Sequence, residues 1–335
     1  MSLNKNLNKA AKARQDEFYT QLEDIENELQ HYKPYFKNKM VYCNCDDPRV
    51  SNFFHYFSYK FSDLGLKKLI TTCYKNQQYD LFSRHDCEKA VTLEYDGFRD
   101  TENVPRPEDI GITRLQGDGD FRSPECVEFL KQADIVVTNP PFSLFREYVA
   151  QLIEHDRKFI IIGNKNAITY REIFPLIQQN KIWVGHTPMG KDLLFDLPED
   201  YAAELLAKRK RGSAYRIVDG VVKGRSQSIW FTNLDHNKRH EELILYRRYT
   251  PEDYPKYDNY DAIEISNTAD IPMDFDGVMG VPITFMDKYN PEQFELLGSN
   301  RGIRQDPKGI YGRGTYLNGK EIFKRIFIRN KNPEK

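Results

Sequence analysis

The chain is 335 residues long, enough for one large domain or two modest ones. Hydrophobic residues make up 39% and charged residues 30%, which excludes a disordered chain and calls for a packed core. The net charge of −1 gives no bulk attraction to nucleic acid, and apolar runs such as Phe159-Ile160-Ile161-Ile162 are far too short to span a bilayer.

Residues 1–14 read as a polar, basic arm. Phe18, Leu22, Ile25, Leu29 and Tyr32 then recur at helical spacing, which predicts an amphipathic helix over 16–33, closed by Pro34. Residues 40–45 read as a strand running into the turn Asp46-Asp47-Pro48. A helix with Val50, Phe53, Phe54 and Phe57 on one face follows, and residues 66–73 form a second strand. Ser123-Pro124 is a start signal for a short helix over 125–131. Residues 134–138 are a third, apolar strand that ends at Asn139-Pro140-Pro141-Phe142. A helix over about 144–155 leads to a strand over 158–163, and residues 181–185 are a further candidate strand. Residues 216–222 spell a hairpin turning on Asp219-Gly220, and 228–234 spell a strand in which Trp230 and Phe231 belong to the core. Beyond residue 250 the chain is rich in Tyr, Pro, Gly and Asn with little periodicity, and reads as an irregular accessory region.

Strands alternating with helices at this rhythm predict an α/β fold with a doubly wound, mostly parallel sheet. In such sheets ligands bind beyond the carboxyl ends of the strands. Asp46-Asp47-Pro48 and Asn139-Pro140-Pro141-Phe142 both fall at such ends.

Charge is segregated along the chain. Residues 301–335 hold ten Lys/Arg against three Asp/Glu, and residues 208–225 hold seven basic residues against Asp219. Lys208, Arg209, Lys210, Arg211 and Arg225 are therefore candidates for phosphate contacts. Arg301, Arg304 and Arg313, set among glycines, are candidates to reach a groove, since Arg reads guanine edges with two hydrogen bonds. Solvated surface is the plainer reading of each. Five cysteines, an odd number, suggest free thiols rather than a disulfide framework. Cys43 and Cys45 would share one face of a strand, but their spacing is not that of a structural zinc site, and no metal is expected. His236 and His240, beside Asn237, Lys238 and Arg239, read as part of a solvated turn that could face DNA. With no apolar signal core, the expectation is a cytoplasmic protein with no membrane partner.

The tetrapeptide at 139–142 carries a chemistry. The lone pair of a heteroaromatic amine is delocalised into its ring, so a methyl-transfer catalyst must localise it and align it with the methyl donor. The side-chain oxygen of Asn139 and the carbonyl of Pro140 can accept the two amino hydrogens. Consecutive prolines fix the backbone and remove competing N–H donors, so the acceptors are preorganised. Phe142 offers a flat surface to a base swung out of a duplex. The same four residues suit cytosine N4, or a glutamine or RNA amine, as well as adenine N6. A strand terminator with no catalytic role is the bland alternative, as is a DNA-binding protein that keeps the fold without the reaction.

Residues 133–142 are similar to the catalytic motif of DNA amino-methyltransferases. The whole chain resembles the EcoRI-type adenine-specific DNA methyltransferases, through residues 16–21, 41–54, Gly119-Asp120-Phe121-Arg122-Ser123-Pro124, 230–234 and 280–298. The resemblance implies a Rossmann-like class I methyltransferase fold, a seven-stranded sheet with one antiparallel strand plus an accessory target-recognition region. It implies S-adenosyl-L-methionine as cofactor, double-stranded DNA as partner, and a monomer. Carried onto this chain, Phe18, Tyr19 and Thr20 would sit against the methionine end of the cofactor, with Asp46 and Asp47 beside its amino acid portion. Asp120 would hydrogen-bond its adenine, and Asn139, Pro140, Pro141 and Phe142 would act on the target base. Helix capping before Ser51 is the plainer reading of the two acids, and a turn that of Asp120. The expected organisation is an arm over 1–14, a catalytic domain over 15–235 with an insertion at about 187–226, and a target-recognition region over 236–335. The chain departs from the wider methyltransferase pattern in two places. Asp46-Asp47-Pro48-Arg49 stands where a Gly-x-Gly turn is usual, and Thr72-Cys73-Tyr74 ends the second strand without an acid. The activity implied is N6-methylation of adenine at a short DNA site, in restriction–modification or phage-type protection, with GAATTC the first sequence to try.

Overall fold

The structure, a computed structural model, describes residues 20–49, 51–74, 90–97, 106–197, 199–207, 215–300 and 314–335. The readings made for the basic arm, Phe18, Tyr19, Val50, Lys208, Arg209, Lys210, Arg211, Arg301, Arg304 and Arg313 lie outside these residues. The chain divides into two compact units, residues 1–164 with 191–234, and residues 165–190 with 235–335.

The first unit is built on ten strands: β1 Met40–Cys43, β2 Lys68–Cys73, β3 Val91–Tyr95, β4 Thr113–Arg114, β5 Ile135–Thr138, β6 Lys158–Asn164, β7 Leu193–Asp196, β8 Tyr215–Val218, β9 Val221–Ser226 and β10 Ser228–Thr232. Seven of them lie in the order β4-β3-β2-β1-β5-β6-β10. β2, β1, β5 and β6 are mutually parallel. β3 runs against β2, and β10 against β6. Two strands therefore oppose the parallel set, where one was expected. The difference is β3, a five-residue strand with no flanking periodic pattern to announce it. All four residues of β5 are buried, as are Phe159 to Ile162 of β6, so these apolar runs are covered on both faces. β7, β9 and β8 form a separate antiparallel sheet, in that order. Asp219 and Gly220 both have positive φ at its β8–β9 turn, the two-residue geometry that Asp-Gly favours.

Helices α1 (Leu22–Leu29), α2 (Asn52–Tyr59), α3 (Pro124–Gln132) and α4 (Phe145–Glu154) belong to this unit. Ser51 caps α2 by accepting from the amides of Phe53 and Phe54, and Ser123 caps α3 by accepting from that of Cys126. Ile25 and Leu29 of α1 join Phe53, Phe54 and Phe57 of α2 in one core with Val41, Val137 and Trp230. From β1 the chain moves outward to β2, β3 and β4, then returns through α3 to β5 on the other side of β1. β1 and β5 therefore flank the point where the winding reverses, and their carboxyl ends are where such a sheet opens a ligand crevice.

In the second unit, β11 Ile263–Glu264, β12 Met279–Pro282, β13 Phe294–Ser299 and β16 Arg325–Asn330 form a four-stranded sheet in the order β11-β12-β16-β13. β14 (Thr315–Leu317) and β15 (Lys320–Ile322) make a small hairpin. The irregular region expected beyond residue 250 thus holds a sheet with its own core, including Met279, Val281, Phe294, Ile326 and Ile328. Its strands are short, and a bulge between Leu296 and Gly298 shifts the register, so no sequence period is sustained. The strand read over 181–185 is Trp183–Val184. His236, read as solvated, is buried; its Nε2 lies 3.1 Å from the Val184 carbonyl oxygen, and burial pushes its ring down to about 4. Glu264 is buried and meets Arg325, Nη2 to Oε1 at 2.5 Å, while the Tyr257 hydroxyl donates to the same carboxylate.

Candidate active site

β1 ends at Cys43, and the next residues turn sharply. Cys45 has φ 62°, the left-handed region that a non-glycine residue seldom adopts. The two thiols therefore do not share a strand face as expected, and among the described residues no group of three metal-ligating side chains gathers. The turn places Asn44, Asp46 and Asp47 at the carboxyl edge of the sheet, all three buried. The Asp46 amide donates to the Thr72 carbonyl at the end of β2, 3.0 Å away, which ties the turn to the neighbouring strand.

Each oxygen of Asp46 has a hydroxyl partner. Ser51 Oγ donates to Oδ1 at 3.0 Å, and Thr138 Oγ1 lies 2.7 Å from Oδ2. Burial raises the Asp46 carboxyl to about 7, against the two hydroxyls, which lower it. Asp47 holds Arg49 through both oxygens, with Arg49 Nε 2.9 Å from Oδ1 and Nη2 2.6 Å from Oδ2. Capping of α2 falls to Ser51 itself, so neither acid caps it directly.

Asn139 follows β5 directly and is half-buried; Pro140 is buried, and Pro141 and Phe142 are partly exposed. Phe142 opens a short 3-10 turn, Phe142–Leu144, that runs into α4, and its ring packs against the main core. Asn139 and Asp46 thus sit beyond the ends of adjacent parallel strands. Thr20 reaches the same edge: its carbonyl accepts from Asn52 Nδ2 at 2.8 Å, at the start of α2. Its own hydroxyl is buried and has no hydrogen-bond partner among the described residues.

Asp120 stands on the loop before α3. Arg122 grips it with two parallel bonds, Nε to Oδ1 at 2.9 Å and Nη2 to Oδ2 at 2.7 Å, and its hydrogen bonds hold the Asp120 carboxyl below the usual range. Arg122 also donates from Nη1 to Glu147 on α4, 2.8 Å away. Gly119, with φ 77°, sets this loop against the end of β2: a Cβ there would collide with the Cys73 carbonyl oxygen. Burial, chiefly, pushes the Cys45 thiol up, and Asp46, Cys126 and Asp120 add to the shift.

Five of the expected site residues within the described region, Thr20, Asp46, Asp47, Asp120 and Asn139, with the prolines and Phe142, converge on one edge of one sheet. Arg225 does not join them. It lies on β9 and pairs with Asp192, as does Arg216 at 3.0 Å. Sequence reading missed Asn44, Thr138, Tyr148, Arg122 and Glu147. Tyr148 alone left a trace, as a hydroxyl-bearing residue on the buried stripe Phe145, Tyr148, Val149 and Leu152 of α4.

A mostly parallel sheet with an Asn-Pro-Pro-Phe loop beyond its fifth strand, beside a buried acidic turn, defines an amino-methyltransferase class of protein. The profile described as "Adenine-specific methyltransferase EcoRI" matches residues 6–331, and the chain belongs to that family. It is 49% identical to the Type II methyltransferase M.EcoRI of Escherichia coli, over 99% of this chain and 98% of that one. It is 39% identical to the Type II methyltransferase M.MgeORF184P of Mycoplasma genitalium and 38% identical to M.MpnI of Mycoplasma pneumoniae, each over 87% of this chain and 84% of the relative. No solved structure matches the chain. The chain is an adenine-specific methyltransferase, and among the described residues no helix is long and apolar enough to cross a membrane.

Proposed function

We propose that the chain transfers a methyl group from S-adenosyl-L-methionine to N6 of an adenine extruded from double-stranded DNA, at a specific short sequence, in restriction–modification or phage-type protection. The observation that carries this reading is the placement of Asn139-Pro140-Pro141-Phe142 beyond the end of β5, next to the acidic turn after β1. The Type II methyltransferase names of the relatives support DNA as the acceptor. The parallel strands β2, β1, β5 and β6 of the first unit support a class I methyltransferase arrangement, residues 15–235 serving as catalytic domain with the insertion at about 187–226 and residues 236–335 as target-recognition region.

The residues at the edge fit the cofactor. The buried Thr20 hydroxyl lacks a partner among the described residues, and the amino acid end of the cofactor would give it one. Phe18, Tyr19 and Thr20 would hold that end, with Asp46 and Asp47 beside its ammonium and Asp120 on its adenine. When bound, the cofactor supplies an electrophilic methyl group on a sulfonium. The protein does the rest by placement. The oxygen of Asn139 and the carbonyl of Pro140 accept the two N6 hydrogens, so the nitrogen lone pair points along one line as the amine becomes tetrahedral. Neither proline offers an N–H to compete for the base. Phe142 stacks on the extruded ring, which favours the flipped state over the paired one. Lys208, Arg209, Lys210, Arg211, Arg225, Arg301, Arg304 and Arg313 supply phosphate and groove contacts, Arg225 by exchanging Asp192 for phosphate. The enzyme acts as a monomer.

The test is direct. The chain, labelled cofactor and a duplex containing GAATTC are incubated, and the digested DNA is resolved into nucleosides. Label in N6-methyladenine is expected; label in N4-methylcytosine, in RNA or in protein overturns the reading. Asn139→Ala should lower kcat by roughly 100-fold or more, the scale for removing one preorganised contact, while cofactor binding persists. Retained activity would place the site elsewhere.

A further inference from the structure

The geometry points to a two-ended clamp: Thr138 and Tyr148 position Asn139 by pinning both ends of the 139–147 segment, the Asn139 loop and the start of α4, to Asn44, just after β1. This deepens the methyl-transfer reading above and rests on it. Thr138 directly precedes Asn139, and Tyr148 sits on the first turn of α4, just past that segment. The Thr138 hydroxyl donates to the Asn44 carbonyl oxygen, and the Tyr148 hydroxyl donates to Asn44 Oδ1. Asn44 is 2% exposed and both hydroxyl residues are 0% exposed, so no bulk water can substitute for either bond.

Packing alone does not require these hydroxyls. β5 reads Ile-Val-Val-Thr, and a fourth branched apolar residue would continue its buried run. The Tyr148 ring meets Phe121 edge-on at 5.0 Å, a contact that a phenylalanine would keep. What the hydroxyls add is direction. The prolines at 140 and 141 stiffen the chain after Asn139, so the anchor before it and the anchor after the loop decide where its amide points. Thr138 has one proton and two acceptors within reach, the Asn44 carbonyl and Asp46. Its hydroxyl is shared between them, and Ser51 donates to the other Asp46 oxygen, so the chain of bonds runs from the cap of α2 through Asp46 and Thr138 to Asn44. Both residues are fully buried with their hydroxyls turned to Asn44, so each acts through Asn139 as a positioning residue. A displacement of about 1 Å at a reacting group costs on the order of 100-fold in rate, so loss of one anchor should register in kcat.

The full chain and its Thr138→Val, Thr138→Ser and Tyr148→Phe variants are compared for kcat, cofactor dissociation constant and amide hydrogen exchange over residues 139–147. Thr138→Val and Tyr148→Phe should each lower kcat ~10-fold or more while leaving the cofactor constant within ~3-fold, and Thr138→Ser should restore kcat to within ~3-fold of the parent. Exchange over these residues should rise in Thr138→Val and Tyr148→Phe and not in Thr138→Ser. An unchanged kcat in a folded Thr138→Val overturns the clamp, as do equal losses in kcat and cofactor affinity that Thr138→Ser fails to rescue. If Thr138→Val does not fold, Tyr148→Phe decides by the same criteria. Faster loop exchange in the variants, with no methyl transfer to DNA adenine by the parent, would sink the reaction and leave the clamp; unchanged exchange sinks the clamp alone.

Discussion

Asp46 makes the stability of the protein depend on pH in a direction opposite to most carboxylates. Burial raises its carboxyl from 3.8 to about 7, so the folded chain holds this proton over a range where the unfolded chain has released it. The stabilisation is fully present below about pH 4 and is lost as pH rises to about 7. At about 1.4 kcal/mol per pH unit, the whole span is worth on the order of 4 kcal/mol. Asp46→Asn removes the charge and keeps the shape: its oxygen accepts from Ser51, and its nitrogen donates to Thr138. The variant therefore imitates the protonated state at every pH. Between pH 4 and 7.5 the melting temperature of the variant should gain on that of the parent by on the order of 10 °C, taking roughly 2–4 °C per kcal/mol for a unit of about 200 residues. The assay is a pair of thermal melts across that range. Parallel curves would show that Asp46 titrates alike in the folded and unfolded chain, and the account of a carboxyl raised by burial would fall with that result. Cofactor binding supplies an independent check. An ammonium beside Asp46 favours the carboxylate, so affinity should rise with pH through about 7 in the parent and stay flat in Asp46→Asn.

Two further outcomes follow from single contacts. Gly119→Ala forces a side chain onto the Cys73 carbonyl at positive φ, so the loop bearing Asp120 must leave the end of β2; the backbone conformation alone costs about 1–2 kcal/mol. The cofactor dissociation constant should rise ~10-fold, measured by calorimetry, and an unchanged constant would remove Asp120 from the cofactor site. Arg325→Ala strands Glu264, 6% exposed at its side chain, in the sheet of the second unit. Loss of one partner of a buried pair costs about 3–5 kcal/mol, which hydrogen exchange in β12 and β16 should report as a local loss of protection; protection equal to the parent would mean that the pair adds nothing.

The sequence made the parallel core legible because its strands are uninterrupted apolar runs and two of its helices, α2 and α3, carry their own caps. Ser51 and Ser123 stand where the helix starts demand them. The tetrapeptide at 139–142 was legible because its chemistry is local. The β3 strand and the sheet of the second unit were not, since short strands broken by Pro, Gly and a bulge leave no period to read. His236 was misread because its burial depends on the Val184 carbonyl, 52 residues away. Asn44, Thr138 and Tyr148 were invisible for the same reason: their bonds span 94 and 104 residues, and no local pattern can encode a partner at that distance.

That long-range network also accounts for the departure at the end of β1. Where methyltransferases usually place glycines, this chain places Cys45 at φ 62°, a conformation that costs a side-chain-bearing residue about 1–2 kcal/mol. Glycine makes such a turn cheap and also leaves it free to adopt others. Cys45 is held in place by its neighbours: the Asn44 carbonyl and side chain are bonded to Thr138 and Tyr148, the Asp46 amide to Thr72, and the Asp46 carboxyl to Ser51 and Thr138. The strained residue persists because the structure on both sides over-determines it. A turn fixed by side-chain bonds, unlike one permitted by glycine, moves only if β1, β2, β5 and the start of α2 move with it. The acidic turn and the Asn139 loop are thereby bonded directly to one another, and a fixed relation between them is what in-line transfer between two separately bound reactants demands.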